Sequence, residues 1–326
     1  MQAIVLERHG PPQTLRPREI ADPVPGPGEV LVELRAIAVN PRDALLREGA
    51  TPAYQLPLPF VLGSDGAGVR RDSGEEVMIL PSLRWGPDEA VAGPEFEILG
   101  GPSDGTYAEL IAIPAANLYP KPAGLSWEEA AALPLASVTA HRALFAVGGL
   151  RAGERLVILG TGAVSIAALQ LASAIGARVA ITSSSPEKLE WARAQGAECT
   201  VNYREADWVA QVGAALGPAE VVLDSVGSSW PQSIELLGAG GRLVACGGTG
   251  GSLTELDVRA VYLQQKRILG TKMGSPADFE ALLKLVAETG IRPPIDSVRP
   301  LAEAGAAHAR IAAGEHFGKL VLDPKG

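Results

Sequence analysis

Cysteine is scarce in this chain: Cys199 and Cys246 are the only two among 326 residues. Two thiols exclude a disulfide framework and a thiolate zinc cluster. Both stand in apolar, strand-like runs, so buried free thiols are expected. Histidine is almost as thin. His9, His141, His308 and His316 are scattered, with no pair spaced to share one helical turn as metal ligands do. No metal site is therefore expected. No apolar run is long enough to cross a bilayer, and the first residues lack the long apolar region of a signal peptide. The expectation is a cytoplasmic protein. The net charge of −9 disfavours nucleic acid and anionic membranes as partners, which leaves a small-molecule substrate.

Hydrophobic residues make up 47% of the chain and charged residues 20%, enough for a large core and too few charges for disorder. The length favours two domains. Apolar or alternating runs at 2–6, 30–39, 68–69, 76–80 and 107–113 are separated by Pro/Gly clusters such as Pro23-Val-Pro-Gly-Pro-Gly28, the grammar of a small β-rich sheet. A short helix is expected over 42–47, with Asn40 as cap and Pro41 at its first position. After Pro122 strands and helices alternate. Strands are expected at 156–159, 178–181, 199–201, 221–224, 242–246 and 268–271, the last at a sheet edge. This is the pattern of a doubly wound parallel sheet, an α/β fold. Strands at 297–299 and 319–322 are assigned back to the first domain, because a dinucleotide sheet is complete with six. The expected domains are 1–121, 122–272 and a return over 273–326.

The most informative stretch is Leu156-Val-Ile-Leu-Gly-Thr-Gly-Ala-Val-Ser165. A wholly apolar strand runs into a Gly160-Thr161-Gly162 turn, and apolar residues at helical spacing follow. Strand, glycine turn, helix and second strand within about thirty residues form the context of a dinucleotide-binding fingerprint. Glycines admit a pyrophosphate close to the backbone, and the N–H groups of the helix start, at Ala163 and Val164, face its charge. The third small position is Ser165 rather than Gly, so slightly wider packing is expected there. At the end of the second strand, NAD-specific sheets place a carboxylate on the ribose. Here the sequence is Thr182-Ser183-Ser184-Ser185, followed by Lys188. Hydroxyls and an ammonium accept a 2′-phosphate, and one charge-assisted bond is worth about 1.5–3 kcal/mol, so NADPH is the expected cofactor. Lys188 also has an ordinary reading as a solvated helix residue.

Taken with Val39-Asn-Pro-Arg-Asp43, Leu62-Gly-Ser-Asp-Gly-Ala-Gly68, Ser137-Val-Thr-Ala-His-Arg-Ala-Leu144, Val201-Asn-Tyr203, Asp224-Ser-Val-Gly227 and Phe317-Gly-Lys-Leu-Val321, the chain resembles the medium-chain dehydrogenase/reductase superfamily, in its zinc-free quinone oxidoreductase-like branch. The resemblance implies a GroES-like catalytic domain beside the Rossmann domain, a cleft between them and a homodimer. It also implies that Thr139 lies near the nicotinamide. Gly247, Gly248 and Thr249 would lie over the cofactor, Lys188 and Tyr203 would flank the phosphate, and Lys319 would lie close to the cofactor cleft. Tyr203 as a packing residue and Lys319 as a surface strand residue are the alternatives. Zinc-dependent relatives place a Cys near Asn40 and a His-Glu pair where this chain has Ser64-Asp65, so the zinc ligands are missing.

Without a metal, hydride transfer to a conjugated acceptor is easier than to a simple ketone, because charge spreads over an enolate or quinol oxygen. Reduction of a quinone or an α,β-unsaturated carbonyl is expected. The rivals are an NADP-dependent alcohol dehydrogenase acting on saturated substrates and a cofactor-binding protein without turnover. Candidate catalytic residues are Asn40, as an amide donor or merely a helix cap, and Tyr54, as a proton donor. Asp43 is the third, forming an i,i+4 ion pair with Arg47 as orienting scaffold. Asp65 is expected to bond a nearby glycine backbone. The long 82–105 excursion reads either as a lid with Trp85 as apolar wall or as a packed surface loop.

Overall fold

The computed structural model describes residues 1–326, and the chain divides into two compact units. The first comprises Met1–Leu135, Ser275–Phe279 and Arg292–Gly326; the second comprises Ala136–Gly274 and Glu280–Ile291. The helix Trp127–Ala132, placed by the sequence in the second domain, belongs to the first unit. Its Ala130, Ala131 and Ala132 are buried, and small apolar side chains of this kind let a helix lie close on a sheet. The helix Pro276–Thr289 is divided, its first residues with the first unit and the rest with the second.

In the first unit the long strand Glu29–Ala38 is central. It pairs antiparallel with Asp65–Arg70 on one side and Lys319–Asp323 on the other, and with Leu110–Pro114 along its first half. Its burial alternates at first and becomes continuous towards Ala38, as expected of a strand that passes from a sheet edge into the core. Glu76–Ile79 and Leu118–Pro120 extend the sheet beyond Asp65–Arg70, and Ile295–Pro300 extends it beyond Lys319–Asp323. Val32, Leu34, Ile37, Leu62, Ile79, Leu320 and Leu322 form the core with Ile4 and Leu6 from Gln2–Leu6.

Register decides what meets at the end of the central strand. Ala38 faces Asp65 on one side and Val321 on the other, and the Val39 N–H donates to the Leu320 carbonyl. Continued by two residues, this antiparallel register sets Asn40 against Lys319. Three side chains from distant parts of the sequence are thereby brought to one point.

The second unit contains a six-stranded, wholly parallel sheet in the order Cys199–Asn202, Arg178–Ser183, Arg155–Ile158, Ala219–Asp224, Leu237–Ala245, Arg267–Gly270. This is the Rossmann order, with its switch point between the first strand and Ala219–Asp224. Leu156, Val157 and Ile158 have no exposed surface, as an apolar run covered by helices on both faces must.

Candidate active site

At the carboxyl end of the parallel sheet, Gly160 turns the chain with φ of +80°, a conformation that costs a side-chain-bearing residue about 1–2 kcal/mol. A Cβ on Gly160 or Gly162 would meet nothing within 4 Å, so the face over the turn is open for a ligand. Gly162 caps the helix Ala163–Ala174, whose first N–H groups have no helical partner. Ser165 is buried and donates to the Leu159 carbonyl at 3.2 Å. Its hydroxyl is thus satisfied by the strand it packs on.

Around the end of the second strand lies a continuous run of hydroxyls. The Thr182 hydroxyl oxygen accepts from the Gly160 N–H at 3.1 Å, Thr161 Oγ1 and Ser183 Oγ are 2.9 Å apart, and the Tyr203 hydroxyl donates to Ser184 Oγ at 3.1 Å. Tyr203 is 45% exposed. Ser185 Oγ accepts from the Lys188 backbone N–H at 3.3 Å and caps the helix Pro186–Ala194. The Lys188 side chain is half-buried and has no ion-pair partner. No carboxylate occupies the strand end itself; Glu187 is turned to the Ser185 hydroxyl.

Two further loops close over this edge. Asp224, with no exposed surface, accepts from the Val226 and Gly227 N–H groups and from the Ser229 and Ser233 hydroxyls. Four bonds to one carboxylate fix the turn after its strand. The Thr249 N–H and hydroxyl both donate to the Ser225 carbonyl, tying the Gly247-Gly248-Thr249 loop to that turn. A Cβ on Gly227 would come within 2.1 Å of the Gly251 carbonyl oxygen, so only glycine permits the crossing. Thr139, on Pro134–His141, is buried with its hydroxyl 3.9 Å from the Met273 sulfur. Cys246 follows the fifth strand, and burial beside Asp224 pushes its thiol up to about 12, far from a reactive thiolate. Burial raises the Cys199 thiol as well.

In the first unit, the register described above produces a buried trio. Lys319 Nζ donates to Asn40 Oδ1 at 2.6 Å and to Asp65 Oδ2 at 3.0 Å, and Asn40 Nδ2 donates to Asp65 Oδ2 at 2.9 Å. All three are less than 5% exposed. Three expectations are corrected. Lys319 is not a surface residue, because its ammonium is engaged inside the sheet. Asn40 does hold the N-cap position of Pro41–Glu48, but its side-chain amide does not stand free as a donor, since both of its ends are taken. Asp65 bonds the Leu135 backbone N–H at 2.8 Å, not a glycine.

Asn40 precedes the helix Pro41–Glu48, and its backbone N–H donates to Asp43 Oδ2 at 2.9 Å. Asp43 is fully buried and also accepts from the Tyr107 hydroxyl at 3.0 Å, which lies 3.0 Å from His308 Nε2. The expected Asp43–Arg47 ion pair is absent. Arg47 is buried on the helix's inner side, where it donates to the Gly10 carbonyl and to Glu48. Burial raises the Asp43 carboxyl to about 6, and burial with the nearby Arg47 charge pushes His308 down to about 3. Sequence reasoning misses Tyr107 and His308; no local pattern links residues this far apart. Tyr54 is half-buried on the single turn Pro52–Tyr54 and packs against the first core. Ser64 Oγ donates to the Leu99 carbonyl at 2.8 Å. Trp85 is not a pocket wall. It is 3% exposed, stacked edge-on against Phe96 and bonded through Nε1 to the Asp88 carbonyl, so it is the apolar centre of its own excursion.

Residues 26–123 match the alcohol dehydrogenase GroES-like domain and residues 163–288 match the zinc-binding dehydrogenase family. A quinone oxidoreductase of Pseudomonas aeruginosa is 33% identical over 334 residues, covering 98% of this chain and 99% of that one. The chain belongs to the medium-chain dehydrogenase/reductase superfamily, in its quinone oxidoreductase-like branch. As a member of that superfamily it is an NAD(P)-dependent oxidoreductase. A zinc-type alcohol dehydrogenase-like protein of Schizosaccharomyces pombe is 34% identical, with 94% of each chain covered. Among solved structures, an NAD-dependent alcohol dehydrogenase superposes with a TM-score of 0.91 at 37% identity, covering 99% of both chains. The quinone oxidoreductase of Thermus thermophilus, solved also with NADPH, gives a TM-score of 0.82 at 31% identity, covering 99% of this chain and 100% of that one.

Zinc is part of some of these names, and the residues here do not fit it. No three His, Cys, Asp or Glu side chains come together as a ligand set. The carboxylate of Asp65 is bound to an ammonium, a cation already in place where a metal would have to bind.

Proposed function

We propose that this reductase is zinc-independent, uses NADPH and transfers hydride to a quinone or an α,β-unsaturated carbonyl compound. The observation that carries the cofactor reading is the hydroxyl run at the second strand's end, with Lys188 unpaired beside it and no carboxylate on the strand. The open glycine turn and the helix start at Ala163–Ala174 would bind the pyrophosphate. Ser183, Ser184, Lys188 and Tyr203 would hold the 2′-phosphate, while Thr139 and the Gly247–Thr249 loop would border the nicotinamide. Bound NADPH supplies the hydride. The protein contributes orientation and the exclusion of water.

Substituting Ser184→Asp puts a carboxylate where the 2′-phosphate would sit. The expected result is a ten- to hundredfold rise in KM for NADPH with a smaller change for NADH, read by absorbance at fixed acceptor. An unchanged NADPH/NADH ratio would sink the cofactor assignment.

For the acceptor, the supporting observation is the buried Lys319–Asp65–Asn40 trio, which leaves no Lewis acid to polarise a simple ketone. NADPH oxidation with 1,4-benzoquinone and 2-cyclohexenone is therefore expected to exceed that with cyclohexanone by at least about tenfold. Equal rates would favour an alcohol dehydrogenase, and tight NADPH binding without oxidation would favour a non-catalytic protein. We further infer a homodimer. Supporting this, the outer edge of Arg267–Gly270 is unpaired, and Tyr262, Leu263 and Ile268 are exposed beside it, the kind of edge that sheets do not leave uncovered. No helix is long and apolar enough to cross a membrane.

A further inference from the structure

Two lysines are buried, and they are treated differently by the fold. Lys319, in the first unit, is matched by Asp65. Lys266, in the second unit, is nine-tenths buried, and the one bond of its ammonium goes to a neutral oxygen, the Ile234 carbonyl, at 2.6 Å. That carbonyl lies in the last turn of the helix Trp230–Leu236. Capping a helix end accounts for the bond but engages only one of the three ammonium hydrogens. A buried ammonium with no carboxylate partner is a costly way to cap a helix.

The surroundings of Lys266 are also unusual. It lines a cleft of about 650 Å³, together with Val209 and Gly213 of the helix Trp208–Leu216 and with Leu236 and Leu237. All of these residues belong to the second unit. The cleft lies at the amino edge of the parallel sheet, since Lys266 and Leu237 stand where the strands Arg267–Gly270 and Leu237–Ala245 begin. The glycine turn at Gly160 lies at the opposite, carboxyl edge. Tyr262, Leu263 and Ile268, exposed beside the unpaired edge of the sheet, are not among the cleft's walls.

An ammonium taken out of water favours its neutral form. Burial lowers the proton affinity of Lys266, and the opposing pull of its charged neighbour Glu235 does not restore it. A neutral amine bordering an open cleft is a nucleophile. The apolar walls decide what it meets. A charged reagent would have to shed its hydration to enter, and an acylating reagent would have to expel an anion into the same setting. An uncharged conjugated carbonyl compound avoids both costs, because it adds without a leaving group.

We propose that Lys266 is a covalent acceptor site for small, uncharged α,β-unsaturated carbonyl compounds. The Nζ lone pair forms a bond to the β-carbon, and the electrons of the C=C π bond move into an enolate. The proton released by the nitrogen ends on the α-carbon. Nothing is oxidised or reduced, and no group leaves. The product is a secondary amine that keeps an N–H for the Ile234 carbonyl, so the helix end stays capped. The site needs no cofactor and is independent of the reductase reading above.

The full chain, incubated without NADPH in 1-octen-3-one at neutral pH, tests this. Borohydride then reduces the ketone and fixes the adducts, and peptide mass spectrometry follows each lysine with time. Lys266 is expected to be labelled at least about tenfold faster than Lys284 and Lys325, whose side chains are exposed and ion-paired. Its rate should also level off at a lower pH than theirs. A Cβ on Gly213 would meet nothing within 4 Å, so Gly213→Leu fills part of the cleft without a clash. That variant should label severalfold more slowly at Lys266 and unchanged at Lys284 and Lys325. Labelling of wild-type Lys266 no faster than that of the two exposed lysines would overturn the proposal. So would undiminished labelling in a Gly213→Leu protein that melts at the wild-type temperature, because the reagent would then not be entering through the cleft.

Discussion

Lys319→Met is expected to destabilise the first unit by about 3–5 kcal/mol, the cost of leaving a buried charge without its partner. Asp65 has no exposed surface. Without the ammonium 3.0 Å away, its carboxylate keeps only the Asn40 amide and the Leu135 N–H. Asn40 Oδ1 loses its donor as well. The double substitution Lys319→Met with Asp65→Asn should recover much of the loss, because removing both charges avoids the uncompensated one. Urea unfolding of the wild type, the two single variants and the double variant closes this cycle. A Lys319→Met protein within about 1 kcal/mol of wild type would mean that the trio is not held as a charge pair.

The second large effect is on stability against pH, and it has two opposing parts. Asp43 is raised from 3.8 to about 6 in the fold. Between those values the folded protein keeps a proton that the unfolded chain loses, so Asp43 removes stability as pH rises, by about 3 kcal/mol in all. His308 is lowered from 6.5 to about 3. Between those values the unfolded chain takes up a proton that the folded protein refuses, so His308 removes stability as pH falls, by about 5 kcal/mol in all. Over pH 4–6 each group contributes about one proton of opposite sign, and the two slopes cancel. Asp43→Asn should therefore lose about 3 kcal/mol relative to wild type on going from pH 6 to pH 4, and His308→Gln should gain a similar amount. Denaturant unfolding at pH 4, 5 and 6 reads this directly. Both variants running parallel to wild type would refute the assignment of these proton affinities to the Asp43–Tyr107–His308 chain.

The nucleotide edge was largely legible in the sequence because its determinants are local. Gly160, Gly162 and Ser165 lie within six residues of one another, and the hydroxyls of Ser183 and Ser184 follow directly from the strand that carries them. The parallel strands were legible for a similar reason: burial on both faces requires continuous apolar runs such as 156–159. The first unit's polar interior was not legible. Asn40 and Asp43 were identified as candidates, Asn40 as an amide donor or a cap and Asp43 as Arg47's partner. Asn40 does hold the cap position, but its side chain is taken by Lys319 and Asp65 from other strands, and Asp43 is taken by the Asn40 N–H and by Tyr107, 64 residues away. For Trp85 the sequence left two readings, a pocket wall and a packed loop. The alternative reading, a packed excursion, is the one that the Trp85–Phe96 contact fits.

By itself the sequence determined the two kinds of sheet, the glycine turn, the missing carboxylate at the second strand's end and the lack of zinc ligands, all of them properties of residue type and short spacing. Only the tertiary structure decided that Lys319 lies on Asn40, 279 residues away, and that Tyr107 lies on His308, 201 residues away. The physical reason is register. A slip of one residue between Glu29–Ala38 and Lys319–Asp323 would turn Lys319 to the opposite face, and that register is held by the whole sheet and its core rather than by any stretch of sequence near either residue.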